Sequence, residues 1–404
     1  MDMRAYAIVT GAYWVFTVTD GALRMLVLLH FHDLGYGPVL LAMLFLLYEA
    51  FGVLANAFGG WIGARQGLRT TLIAGLGLQV VALLLLSGLN TGWTEWLAVS
   101  WVMGAQALSG IAKDLTKMSS KTAVKFVAPE GRLFRLVAML TGSKNALKGA
   151  GFFVGAALLA GVGFRPALLI MAVVVGVTLL GSLVLAPDVG RARKKPALAQ
   201  VLKKSPAISR LSFARFFLFG SRDIWFVVAL PVFLDEELRW SFPSIGAFLA
   251  LWVIGYGIVQ AFAPRLLTGV EGSAIGAYGF LPPMAMVAVI IAVSNEIERL
   301  MAVTTISGLL IFGAMFALTS SVHSFLILDY SVGEDAAAMD VGFYYSANAA
   351  GRLVGTLLSG VLFVVGGFTA ALLGMAVFLS IAFVASLGLP DPSRARANRA
   401  AAAR

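Results

Sequence analysis

The stretch "GGWIGARQGLR", residues 59–69, lies between two long apolar segments near 38–62 and 69–89. Its only charged residues are two arginines, Arg65 and Arg69. Cytoplasmic loops of membrane proteins are enriched in Lys and Arg, whereas the loops on the other side are not. The stretch therefore predicts a short cytoplasmic loop between two membrane-spanning helices.

The composition of the whole chain agrees with a membrane protein. Of 404 residues, 60% are hydrophobic and 12% are charged, and the mean hydropathy is +0.91. A soluble chain of this length could not remove so much apolar surface from water. The net charge of +10 does not indicate a nucleic-acid partner, because the charges fall between the apolar segments. Cysteine is absent, which excludes disulfides, thiolate metal sites and cysteine nucleophiles.

Apolar stretches of about twenty residues, the length that a bilayer requires of a helix, recur along the chain. They predict an all-α membrane protein with twelve transmembrane helices. Most Lys and Arg residues fall on alternate loops, which predicts that both termini are cytoplasmic. The spans are expected near 6–29, 38–62, 69–89, 94–115, 133–160, 164–187, 208–234, 243–268, 274–294, 299–327, 341–363 and 367–389.

A long polar interval, residues 187–206, divides these spans six and six. We therefore expect four parts: an N-terminal six-helix bundle at 1–187, a cytoplasmic linker at 188–207, a C-terminal six-helix bundle at 208–390 and a basic cytoplasmic tail at 391–404.

The two halves carry matching features when the sequence is shifted by about 203 positions. Asp20 then falls on Asp223, and "SKN" falls on "SAN", so that Asn145 matches Asn348. One residue out of that register, "NAFG" at 56–59 matches "QAFA" at 260–263. The chain is thus expected to form two pseudo-symmetric six-helix bundles.

The repeat, the span count and the loop at 59–69 resemble the major facilitator superfamily of transporters. Four residues match the superfamily's loop between spans two and three, where a conformational gate is expected: Gly60, Arg65, Gly67 and Arg69. Ala64 stands where that loop usually has an acidic residue. The resemblance implies a carrier that works by alternating access. No nucleotide-binding loop, zincin motif or nucleophile elbow occurs, so we expect no enzyme activity and no cofactor.

When the cations near the span ends are assigned to the loops, five remain within the predicted spans: Arg24, Lys144, Lys148, Arg222 and Arg352. By helical rise, Lys144 lies roughly 18 Å beyond Arg132, near mid-membrane. A cation at this depth costs several kcal/mol unless it faces a polar cavity. We therefore predict that these cations, with Asn145 and Asn348, line a central substrate-binding cavity. Arginine binds phosphate-like groups bidentately and lysine adds a point charge, so the predicted ligand is a small polyanion.

Three intramembrane carboxylates are candidates for proton coupling: Glu49, Asp20 and Asp223. Asp20 and Arg24, one helical turn apart, could equally be a structural ion pair. Arg222 and Asp223 are adjacent, and we expect them to project in different directions and not to neutralise each other.

Four lysines recur every four residues at the cytoplasmic end of span four: Lys113, Lys117, Lys121 and Lys125. Most are expected to form a solvated face at the membrane surface. Lys113 and Lys117 could instead form a vestibule that concentrates anions by electrostatic focusing. The histidines His30, His32 and His323 lack neighbours that complete a ligand set, so no metal site is predicted.

Several long segments resemble the ArsJ family, the organoarsenical efflux permeases of bacterial arsenic-resistance operons. These segments are "AYWVFTVTDGALRMLVLLHFH", "QALSGIAKDLTKMSSK", "LTGSKNALKGAGFF", "FFLFGSRDIWFVVALPVFL" and "LWVIGYGIVQAFAP", with a weaker match in "SANAAGRLVGTLLSG". The resemblance implies a monomer in the bacterial inner membrane that exports 1-arseno-3-phosphoglycerate. It also implies a functional link to glyceraldehyde-3-phosphate dehydrogenase, which makes this compound from arsenate.

Two other carriers share parts of this pattern. An exchanger of organophosphate for phosphate would have the same cationic site. A broad drug exporter would instead need an acidic and aromatic cavity for lipophilic cations, which the intramembrane cations oppose.

Overall fold

The computed structural model of the protein describes residues 3–36, 40, 43–90, 92–127, 132–186, 204–267, 273–295, 297–331 and 334–391. These residues are almost entirely helical, and none of them forms a β-strand. In chain order the helices are α1 (Met3–Asp33), α2 (Leu46–Gln66), α3 (Leu68–Ser87), α4 (Glu95–Val127), α5 (Leu133–Val162), α6 (Phe164–Leu185), α7 (Pro206–Phe226), α8 (Ala229–Glu236), α9 (Phe242–Leu266), α10 (Ala274–Tyr278), α11 (Leu281–Ser294), α12 (Glu298–Tyr330) and α13 (Glu334–Ser386).

Glycines allow the sharp junctions between consecutive helices. Gly67 separates α2 from α3 with a φ of 95°, and Gly163 separates α5 from α6 with a φ of 83°. Only glycine adopts such angles without steric cost. The loop of residues 59–69 is accordingly a one-residue break, and most of it continues α2 as helix.

Within the described residues, nine helical segments are long and apolar enough to cross a membrane. One of them, Ala337–Ser386, covers two predicted spans, and Gly366 and Gly367 interrupt it with non-helical backbone angles. The helices α2 and α4 overlap two further predicted spans. The all-α fold is therefore confirmed, whereas the count of twelve spans stays a prediction.

The chain divides into two compact units. Unit 1 comprises residues 1–133, 143–203 and 332–346; unit 2 comprises residues 134–142, 204–331 and 347–404. The predicted linker lies mostly outside the described residues, as does nearly all of the predicted tail. The domain boundaries and the cytoplasmic orientation of the termini stay predictions.

In unit 1, α2 and α4 pack at backbone distance. A Cβ atom at Gly110 would overlap the main chain of Tyr48, so only glycine fits there. The close approach brings Tyr48 and Glu49 on α2 beside Lys113 and Asp114 on α4.

The core of unit 2 is rich in aromatic rings. Trp225 of α7 contacts both Trp252 and Phe312 edge to face, with ring centroids 5.5 Å and 5.7 Å apart. Such burial holds α7 firmly, and α7 carries three of the charged residues described next.

Candidate functional site

Asp20 on α1 is the first of two buried carboxylates that bind a cation from a distant part of the chain. Its side chain is 5% exposed, and its Oδ2 accepts a hydrogen bond of 3.0 Å from the Nζ of Lys148 on α5. The hydroxyl of Tyr48 donates to its Oδ1. Arg24 does not contact Asp20 in any described interaction but lies against Glu49. The structure therefore does not show the Asp20–Arg24 ion pair that the sequence allowed: Asp20 pairs with Lys148, and Arg24 pairs with Glu49.

Glu49 on α2 lies between two cations of unit 1. Its Oε1 is 3.4 Å from the Nη2 of Arg24, and its Oε2 is 3.4 Å from the Nζ of Lys113. The Lys113 ammonium also lies 3.8 Å from the ring centroid of Tyr48 and 3.7 Å from Oδ2 of Asp114. Three helices, α1, α2 and α4, thus contribute to one charged cluster.

The cluster continues along one face of α4. Lys117 donates to Asp114, and its Nζ is 4.8 Å from the ring centroid of Tyr345. Lys121 donates a 2.7 Å hydrogen bond to the Tyr345 hydroxyl.

The prediction of a solvated lysine face on α4 is wrong for three of its four members. The side chains of Lys113 and Lys117 are 12% and 11% exposed, and Lys121 is 6% exposed. The reason is that all three lysines have partners inside unit 1: Lys113 lies beside Glu49, Lys117 pairs with Asp114, and Lys121 donates to Tyr345. Lys117 and Lys121 lie on the part of α4 that continues past residue 115, the predicted end of span four. The side chain of Lys125 lies outside the described residues.

Asp223 on α7 is the corresponding carboxylate of unit 2, and its side chain is 1% exposed. Its Oδ1 accepts a 2.6 Å hydrogen bond from the Nε of Arg222, and its Oδ2 accepts a 3.0 Å bond from the Nε of Arg352 on α13. The expectation that adjacent Arg222 and Asp223 do not pair is wrong, because the long arginine side chain turns back to reach its short neighbour.

Arg215 on α7 is a buried cation that was not among the predicted site residues, although it lies within the predicted span 208–234. It is 2% exposed. Its Nε donates to Oδ1 of Asn348 at 2.9 Å, its Nη1 donates to Oγ of Ser320 at 3.1 Å, and its Cζ lies 3.8 Å from the ring centroid of Phe219. The predicted site residue Asn348 therefore binds an arginine of its own unit.

Two other predicted site residues lie on α5. Lys144 is half-buried, and Asn145 is 9% exposed. In the predicted gating loop, Gly60 lies within α2, the Cζ of Arg65 lies 4.9 Å from the ring centroid of Trp61, and Arg69 donates to the carbonyl of Leu183.

His30 and His323 make structural contacts, whereas the side chain of His32 lies outside the described residues. The ring of His30 stacks on Phe164 with centroids 4.0 Å apart, and Nε2 of His323 lies 3.2 Å from the carbonyl oxygen of Ala277. The part of the chain that the structure describes contains no group of three or more metal-ligating side chains.

The two carboxylates and their cations differ in accessibility. Asp20 and Asp223 are nearly inaccessible, whereas the side chains of Lys148, Arg222 and Arg352 are 15%, 17% and 19% exposed. The cations are thus more accessible than the carboxylates that they bind. A guanidinium has five donors in a planar fork and an ammonium has three.

Known structures share this fold across nearly the whole chain. The proton:xylose symporter XylE, bound to 6-bromo-6-deoxy-D-glucose, aligns with a TM-score of 0.77 and 13% identity over 96% of each chain. The human organic anion transporter MFSD10 (TETRAN) aligns with a TM-score of 0.74 and 15% identity. A bacterial homologue of the iron transporter ferroportin, in its outward-facing state, aligns with a TM-score of 0.74 and 17% identity. Each of these two alignments covers 95% of this chain and 99% of the other. No curated protein sequence matches this chain.

The family model of the Major Facilitator Superfamily matches residues 9–338. The chain belongs to this superfamily, whose members carry small molecules across membranes and are not enzymes. The predicted fold class is thereby confirmed, and the protein is a multi-pass membrane transporter.

Proposed function

We propose that this transporter exports a phosphate-like organic anion, and specifically 1-arseno-3-phosphoglycerate, from the bacterial cytoplasm across the inner membrane. The observation that carries the proposal is the set of partly exposed cations in each unit: Arg24 and Lys148 in unit 1, and Arg222 and Arg352 in unit 2. The choice of cargo rests on the resemblance to the ArsJ family in the segments that contain these residues.

The chemistry of the cations suits a ligand with oxyanion groups. Arginine forms two parallel hydrogen bonds to a phosphate or arsenate group, and lysine supplies a compact charge with three donors. Lys144 and Asn145 on α5 are further proposed contacts, and Lys113 and Lys117 are the proposed vestibule. The absence of cysteine also fits a pentavalent oxyanion, because soft trivalent arsenic is usually bound by thiolates.

The membrane potential favours export of such an anion. Moving one negative charge out of a cell that is negative inside releases about 2.3 kcal/mol per 100 mV. A multiply charged anion therefore needs little additional driving force to leave. If a proton is exchanged, Glu49 is the proposed carrier, since its distances of 3.4 Å to Arg24 and Lys113 are longer than the 3.0 Å bonds that hold Asp20 and Asp223 to their distant cations.

The main alternative is a carrier that exchanges an organophosphate for inorganic phosphate, which would use the same cations. The two differ in one requirement: an exchanger needs phosphate on the opposite side of the membrane. A drug exporter for lipophilic cations is disfavoured by the partly exposed cations of both units.

The proposal is tested by arsenic uptake into everted membrane vesicles that contain the protein. One sample receives arsenate alone, and the other receives arsenate with glyceraldehyde-3-phosphate, NAD and glyceraldehyde-3-phosphate dehydrogenase. We expect uptake only from the complete mixture, without phosphate inside the vesicles, and we expect Arg352→Gln to abolish it.

Arg299→Gln is the matched control, because Arg299 is an exposed cation at the start of α12. It should transport normally. Equal uptake from arsenate alone would refute the proposed cargo, and uptake that depends on internal phosphate would favour the exchanger.

A further inference from the structure

The two units contain the same arrangement of a carboxylate and a cation. In unit 1, Oδ2 of Asp20 on α1 accepts a 3.0 Å hydrogen bond from Lys148 on α5. In unit 2, Oδ2 of Asp223 on α7 accepts a 3.0 Å hydrogen bond from Arg352 on α13. In both cases the carboxylate lies on the first helix of its half, and the cation lies on a helix more than a hundred residues away.

A glycine follows each cation by three residues and lets the two helices touch. A Cβ atom at Gly151 would overlap the carbonyl oxygen of Val18 on α1, and a Cβ atom at Gly355 would overlap the carbonyl oxygen of Gly220 on α7. The pairs Lys148–Gly151 and Arg352–Gly355 therefore correspond. Lys148 thus corresponds to Arg352. The sequence shift that matches these two cations is one residue longer than the shift that matches Asp20 with Asp223.

The second oxygen of each carboxylate is also bound. Tyr48 donates to Oδ1 of Asp20, and Arg222 donates to Oδ1 of Asp223. The ammonium of Lys113 lies over the ring of the same Tyr48. Both carboxylates thus have both oxygens bound to donors.

We propose that Asp20 and Asp223 are positioning residues: each holds the cation of a distant helix, Lys148 or Arg352, in place to bind the transported anion. This inference rests on the proposed function for its ligand. It revises the prediction that the two carboxylates carry protons. A buried carboxylate that accepts a 3.0 Å bond from a distant cation is suited to fix that cation. Glu49, whose two cations lie at 3.4 Å, is held less tightly and is better suited to exchange a proton.

The experiment has a part that does not depend on the cargo. Thermal unfolding of the full-length protein in detergent is measured for Asp20→Asn, Lys148→Gln and the double variant, and likewise for Asp223→Asn, Arg352→Gln and their double variant. We expect each double variant to lose no more in Tm than the more damaging single substitution, because both substitutions break one interaction. Additive losses would overturn the inference for that unit, whatever the cargo is.

The second part measures transport kinetics in the vesicle assay with the complete arsenate mixture. For Asp20→Asn and Asp223→Asn we expect KM to rise about tenfold, as for the loss of a charged hydrogen bond, with a smaller change in maximal rate and an unchanged pH profile. A flattened pH profile would instead identify the carboxylate as a proton carrier and overturn the inference.

The repeat itself supplies conservative controls. Lys148→Arg and Arg352→Lys place in each unit the cation that the other unit uses, and both should keep KM within a few fold of the wild-type value. Glu95→Gln, at an exposed acid at the start of α4, should change neither Tm nor KM. If the wild-type protein transports nothing from this mixture while the Tm losses are non-additive, the proposed cargo fails and the positioning role stands.

Discussion

The ammonium of Lys113 lies 3.8 Å from the ring centroid of Tyr48, and the hydroxyl of the same tyrosine donates to Asp20. Tyr48 thus connects the Asp20–Lys148 pair with the cluster around Glu49. An ammonium over an aromatic face is attracted by the ring quadrupole, and the hydroxyl satisfies a buried carboxylate oxygen. One side chain therefore makes two separable contributions to unit 1.

We expect Tyr48→Phe to lower the free energy of unfolding by about 1–3 kcal/mol, because it leaves Oδ1 of Asp20 without its donor. Tyr48→Leu should cost about 1 kcal/mol more, since it also removes the ring beneath Lys113. Thermal or denaturant unfolding in detergent measures both. Equal losses for the two variants would show that the ring does not contribute through Lys113.

Glu49→Gln is expected to remove the pH dependence of transport while anion binding persists, since Glu49 is the proposed proton carrier. The measurement is the initial rate of arsenic uptake by everted vesicles in buffers from about pH 6 to about pH 8, a range centred on neutrality. Glu95→Gln should leave the profile as in the wild type. A Glu49→Gln profile that follows the wild type would exclude Glu49 from coupling.

Arg215→Gln should destabilise unit 2 by about 2–3 kcal/mol, because it removes a buried guanidinium that donates to Asn348 and Ser320. Arg215→Lys should restore little, since a single ammonium cannot reproduce the planar fork or its stacking on Phe219. Tm in detergent is the measurement. A wild-type Tm for Arg215→Lys would contradict the role given to the fork.

Gly151→Ala should destabilise unit 1 and raise KM, because its Cβ would push α5 away from α1 next to the Asp20–Lys148 pair. Gly161 provides the control on the same helix, since a Cβ there meets nothing within 4 Å. Gly161→Ala should be neutral or stabilise by about 0.4–1 kcal/mol. Similar losses at both glycines would indicate a general effect of helix flexibility.

Hydropathy and charge distribution were sufficient to predict the helical membrane fold and to select several charged residues that are buried, among them Asp20, Glu49 and Asp223. Their partners were not predictable. Arg24 is one helical turn from Asp20 in sequence, yet Lys148, 128 residues away, is the cation that binds it. Spacing along one helix states which side chains share a face, but it does not state which other helix packs on that face.

The buried lysines of α4 and Arg215 show a second limit. Most of these lysines were expected at the membrane surface, and Arg215 was not selected as a site residue, because hydropathy falls where charges accumulate. A helix can continue beyond its apolar segment when its charges are paired inside the protein, as Lys117 is with Asp114. Hydropathy does not distinguish a paired charge from a solvated one.

The cations that bind Asp223 are both arginines, whereas the cation that binds Asp20 is a lysine. A guanidinium presents its donors in a fixed plane, whereas an ammonium is a compact charge whose three donors can rotate. For an oxyanion ligand of the proposed kind, the arginines of unit 2 would therefore impose one orientation, and the lysine of unit 1 would accept several.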